Sequence, residues 1–134
     1  MRPIGLSSLL GSVLVALAVG GCSPVVHLTP ERLRSLPESE DVRVIDARDM
    51  PRGELESLLA EYRILARFHK TVFGEDDFED KVQQAVEKAK ATVRQVGCNV
   101  LLYTQNSELV ATVMHDAHFA GPPDALVMYA MLEK

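Results

Sequence analysis

An α+β two-layer sandwich, with one long amphipathic helix packed on a mainly antiparallel sheet of four or five strands, is the fold class this sequence predicts. Three observations predict it. Phe78, Val82, Ala85, Val86, Ala89, Val93 and Val96 recur at steps of three or four, the stripe of a helix with one buried face. Apolar runs of strand character flank that helix on both sides, at 42–45, 62–72, 100–104, 109–119 and 125–132. Asn106-Ser107 and Gly121-Pro122-Pro123-Asp124 divide the last three runs with turn chemistry, the pattern of an antiparallel meander.

Composition sets the scale. A chain of 134 residues, 47% hydrophobic and 25% charged, fits one small globular domain, and a net charge of −5 argues against a nucleic-acid partner. Every aromatic residue (Tyr62, Phe68, Phe73, Phe78, Tyr103, Phe119, Tyr129) lies beyond position 60, while Pro24, Pro30, Pro37 and Pro51 punctuate the earlier part. Large rings supply most buried area per residue. The core is therefore expected mainly from residues 62–134, with the preceding segment as tether and flank.

The chain opens with Arg2 and then runs from Ile4 to Val19 without a charge, the layout of a secretory signal peptide. Gly5, Ser7, Ser8, Gly11 and Ser12 interrupt the run, which falls short of the roughly 20 apolar residues that span a bilayer as a helix. Its end, Ala18-Val19-Gly20-Gly21-Cys22, resembles the lipobox of bacterial lipoproteins. The resemblance implies cleavage before Cys22, diacylglycerol on its sulfur and residues 1–21 as a removed signal peptide. Ser23 in the following position resembles the class sorted to the outer membrane, facing the periplasm. Loss of residues 1–21 removes Arg2 and no carboxylate, so the mature body is still more acidic. Adhesion to anionic headgroups through a basic patch is disfavoured on that count, and the lipid is expected to do the anchoring.

Residues 22–41 read as a lipidated tether, extended through Leu28, followed by a short helix that Thr29 caps, Pro30 begins and Pro37 ends. The domain proper is then 42–134. Val42, Val44 and Ile45 form the first strand, closed by the polar run Asp46–Asp49. Between Glu54 and His69 two periods overlap: a helical turn is expected over 54–60, then a strand over 62–72, with a single long helix as the alternative. In that strand Tyr62, Ile64, Ala66 and Phe68 alternate with Arg63, Arg67 and His69. The long helix spans 77–96, with Asp76 or Asp77 as its cap and Gly97 as its left-handed terminator. Lys81, Lys88 and Lys90 read as its solvated face.

The order of elements resembles a family of small bacterial envelope lipoproteins. The residues that carry this are Val42–Asp46 with Pro51, Glu61-Tyr62-Arg63-Ile64-Leu65, Ala85-Val86-Glu87-Lys88-Ala89-Lys90, and Gly97-Cys98-Asn99-Val100-Leu101. Related domains include small proteins labelled as heavy-metal binders and the lipoprotein that reports envelope stress to the Rcs phosphorelay. A second likeness, Leu28–Leu33 with Val42–Asp49 to the opening of a rhodanese domain, stops at Cys98. Its successors Asn99-Val100-Leu101-Leu102 supply no anion-binding loop.

Chemistry-bearing residues are few. With Cys22 lipidated, Cys98 is left between a helix end and a strand start, where a buried small side chain is expected; a thiolate zinc site lacks its cysteines. His115-Asp116-Ala117-His118 is the one cluster with metal-ligand types, but on a strand His115 and His118 point to opposite faces, so a shared ion needs a bulge, a helix, or His69 from elsewhere. Glu75–Asp80 lacks the alternation of a calcium loop, and no phosphate loop or Gly-x-Ser-x-Gly elbow occurs. The expectation is a non-enzymatic, lipid-anchored module without cofactor that binds another envelope protein or a peptidoglycan-associated component, with metal binding through His115 and His118 as the alternative.

Overall fold

The computed structural model describes residues 24–72, 77–105, 112–113 and 125–134. Its elements run β1 (Val26–His27), β2 (Arg43–Asp46), α1 (Arg52–Leu59), β3 (Tyr62–Thr71), α2 (Phe78–Gln95), β4 (Val100–Thr104) and β5 (Ala125–Glu133). One five-stranded sheet has the order β1-β3-β5-β4-β2. β1–β3, β3–β5 and β5–β4 pair antiparallel, and β4–β2 pairs parallel. The class is the α+β sandwich expected from the sequence.

β5 occupies the centre of the sheet, and its residues 125–131 are all buried. A strand covered on both faces needs no polar alternation, which is why Ala125-Leu126-Val127-Met128-Tyr129-Ala130-Met131 reads as one apolar run. Leu126, Met128 and Ala130 join the core under α2; Val127, Tyr129 and Met131 join the core on the opposite face.

On the first face α2 buries Val82, Ala85, Val86, Ala89 and Val93. They meet Leu65, Ala66, Phe68, Leu101 and Tyr103 from the sheet. Each fully buried valine contributes about 1.5–3 kcal/mol. Asp77 holds the N-cap position, yet its carboxylate makes no capping hydrogen bond and instead lies 3.5 Å from Lys81. The helix ends as its glycine predicts. Gly97 adopts φ +83°, its N–H donates to the Arg94 carbonyl (3.0 Å), and the Cys98 N–H donates to the Val93 carbonyl (3.0 Å). That is a Schellman end, in which the residue after glycine turns its side chain back onto the last helical turn. Cys98 and Val93 accordingly share the core with no exposure.

The helix expected from Pro30 to Pro37 does not form. Residues 31–37 are irregular, and the Thr29 hydroxyl has no hydrogen-bond partner among the described residues. The segment instead straps the end of α2. The Leu36 N–H donates to the Arg94 carbonyl (2.8 Å), the Ser35 hydroxyl donates to the Gln95 carbonyl (2.9 Å), and Leu33 packs on the core. A helix end leaves carbonyls without partners, and the strap's backbone satisfies them in place of its own helical bonds.

In β3 the expected alternation breaks at Leu65, where the register against β5 shifts between Ile64 and Ala66. This bulge sends Tyr62 and Ile64 to one face and Ala66 and Phe68 to the other, although the four residues look like a single stripe. Arg67 and His69 then share the side of Tyr62, and Arg67 is buried.

Of the strand expected over 109–119, Thr112 and Val113 fall within the described residues and are helical; the rest lies outside them. Topology gives the reason. β4 and β5 pair with each other, while β2 and β3 take their remaining edges, so neither has room for a further strand. Val113 packs instead against the second core, the cluster that includes Leu55, Leu59 and Tyr129. The fifth strand is β1, from the segment expected to be a tether.

Candidate functional site

Val25 packs on the α2 core, Val26 and His27 pair with Arg67 and Ala66, the Leu28 N–H donates to the Leu65 carbonyl (2.8 Å), and Leu28 packs on the second core. The chain thus packs on the domain at Val25 and pairs into the sheet at Val26 and His27, which corrects the expected extended tether. Cys22 lies outside the described residues. At no more than about 3.6 Å per residue, covalent geometry holds it within roughly 11 Å of Val25.

His115, Asp116 and His118 also lie outside the described residues. His69 lies on β3 opposite Val127, and burial together with the nearby Arg67 holds its imidazole below the ordinary histidine range. Among the described residues no three His, Cys, Asp or Glu side chains are placed to hold a metal ion. No described helix is long and apolar enough to cross a membrane. The Cys98 thiol is fully buried, and desolvation pushes it up to about 11, which keeps it protonated and inert.

Among the described residues the most heavily built polar arrangement joins the end of β2 to the first turn of α2. Arg48 Nε and Nη2 donate to Asp46 Oδ1 (3.0 Å) and Oδ2 (2.8 Å), while Nη1 donates to Glu79 Oε1 (2.5 Å). The Arg48 side chain is only 17% exposed and lies over the Tyr103 ring, 5.3 Å from its centroid. Gln83 Nε2 donates to Glu79 Oε2 (3.3 Å) and to the Tyr103 hydroxyl (3.5 Å). The cluster has no local signature in the sequence. Asp46 and Arg48 are two residues apart and visible as a turn, but Glu79 comes from another element and nothing local marks it as their partner.

The charges of the cluster are locked. Hydrogen bonds from Arg48 hold Asp46 and Glu79 below the usual carboxylate range, the two carboxylates raise the guanidinium further, and burial raises Tyr103. Proton transfer at neutral pH calls for a group that titrates near neutrality, and every shift here leads away from it. Bidentate contacts of a guanidinium to two carboxylates instead make a clamp, fastening α2 to the sheet. No protein family, curated protein or solved structure matches this chain.

Proposed function

We propose that this protein is a bacterial envelope lipoprotein. It is acylated at Cys22, held on the outer membrane facing the periplasm, and carries a small α+β domain that acts as a non-enzymatic binding or structural module toward another envelope protein. The observation that carries this reading is the sequence Ala18-Val19-Gly20-Gly21-Cys22, whose apolar leader ends in small residues before a cysteine. Two structural facts support it. The chain pairs into the sheet at Val26, four residues after Cys22, so a lipid on Cys22 would hold the domain through a short link. The best-built polar cluster consists of ions paired with one another, as a scaffold requires and a proton-transfer site does not.

Detergent phase partitioning of the full chain expressed in a Gram-negative host tests the anchor. The wild type is expected in the detergent phase with an amino terminus at an acylated Cys22, and Cys22→Ser in the aqueous phase. An unmodified Cys22, by mass spectrometry of the mature protein, overturns the reading. Crosslinking in intact cells then identifies the partner.

A further inference from the structure

Net charge hides a local asymmetry. Three of the chain's five lysines, Lys70, Lys81 and Lys88, line one groove of about 130 Å³ between the end of β3 and the first half of α2, with Thr71, Val72, Gln84 and Ala85. Lys81 and Lys88 are a helix face on their own; the tertiary structure adds Lys70 from a strand. Among the described residues no carboxylate lines the groove. Lys81 is ion-paired with Asp77, whereas neither Lys70 nor Lys88 has a carboxylate partner among the described residues. Lys90, beyond the groove, is neutralised by Glu87 at 2.9 Å.

The register of β1 indicates what this groove faces. Val26 lies opposite Arg67 and His27 opposite Ala66, so the chain traced backward from Val26 heads toward the Lys70–Val72 end of β3. Lys70 lies three residues past Arg67, about 10 Å along the strand. Pro24 precedes Val26 by two residues, and Cys22 precedes Pro24 by two more, a reach of about 7 Å. The acyl chains proposed on Cys22 would therefore enter the membrane on the side of the molecule that carries the lysines.

We propose that the Lys70–Lys81–Lys88 groove docks on the phosphates of anionic phospholipid headgroups in the membrane that holds Cys22, fixing the orientation of the domain. The inference rests on the anchor proposed above. Acyl chains supply the attachment; the lysines choose which face of the domain lies against the bilayer. Each lysine close to an anionic surface changes the partition by about fivefold. An open groove edged by three ammonium groups suits a phosphate at a surface better than an enclosed ligand, and the reach from Cys22 favours a lipid over a soluble anion.

The acylated full chain, reconstituted into vesicles of phosphatidylethanolamine with or without phosphatidylglycerol, is treated with a membrane-impermeant amine reagent after flotation, and each lysine is quantified by mass spectrometry. Labelling of Lys70 and Lys88 is expected to fall at least about fivefold relative to Lys134 in vesicles with phosphatidylglycerol, and to recover in detergent. Equal labelling of all three in protein that floats overturns the docking and leaves the anchor standing. Protection of the same size without phosphatidylglycerol overturns recognition of anionic headgroups. Protection by inorganic phosphate in detergent overturns the membrane as the occupant. Protein that does not float overturns the anchor and the inference together.

Discussion

On one face of the sheet a single 18-residue helix supplies five buried residues at helical spacing, and the strands beneath answer with Phe68, Leu101 and Met128. On the other face the eight-residue α1 brings Leu55 and Leu59, and the cover is completed by Leu28, Ala47, Met50 and Val113 from separate parts of the chain. Among the described residues the first face is closed mainly by one helix, with Val25 and Leu33 at its margin, and the second by short pieces from separate parts of the chain. A cover made of short pieces can settle inward around a deletion, whereas an 18-residue helix shifts only as a unit.

Truncation on the two faces tests this contrast most directly. Phe68→Ala, under α2, is expected to cost about 3–5 kcal/mol, and Leu55→Ala, on α1, about 2–3 kcal/mol because its surroundings relax into the space. Urea unfolding of both variants checks the ranking; a larger loss at Leu55 breaks the comparison. The end of α2 gives a somewhat smaller effect. A Cβ on Gly97 would stand 2.5 Å from Leu33 Cβ and 2.7 Å from the Arg34 carbonyl oxygen, at a backbone angle that L residues avoid. Gly97→Ala is expected to cost about 2–4 kcal/mol by strain and overpacking together. Loss of protection from hydrogen exchange at the Leu36 amide would show that the strap had been pushed off the helix.

The clamp gives the smallest effect and the one with a pH signature. Asp46 and Glu79 titrate lower in the folded protein than in the unfolded chain. Their contribution is therefore complete above the ordinary carboxyl range near about 4 and is lost as pH falls through their folded values. The melting temperature of the wild type is expected to drop between neutral pH and pH ~3. Arg48→Met, which keeps the stem over Tyr103 but removes the charge, is expected to melt lower at neutral pH and to show a shallower drop. An unchanged slope would mean that Arg48 does not hold the two carboxylates.

The same contrast explains what was legible. The α2 stripe, its glycine terminator and the buried Cys98 after it are local facts, written within 20 residues or so of one another. So are the strands at 43–46, 62–71 and 100–104, and the helix at 52–59 that the two overlapping periods left open. What escaped depends on partners distant in sequence. Residues 30–37 hold a proline and a threonine well placed for a helix start, but the carbonyls of Arg94 and Gln95 compete for their backbone. Ala66 and Phe68 continue the alternation of Tyr62 and Ile64, but the pairing with β5 inserts a bulge at Leu65 and reverses the face. The candidate site divides in the same way: Cys22 is marked by its neighbours, whereas Lys70 joins Lys81 and Lys88 only through the packing of β3 beside α2.

By itself the sequence determined the class, the long helix with both its limits and most of the strands, because each depends on spacing or on side chains adjacent in the chain. Only the tertiary structure decided that Val26 and His27 are an edge strand, that β5 lies between β3 and β4, that Arg48 binds Glu79, and that three of the five lysines of an acidic protein gather in one groove. Those arrangements arise from unpaired backbone groups and apolar surface seeking partners across the molecule, and a linear pattern does not record which partner wins.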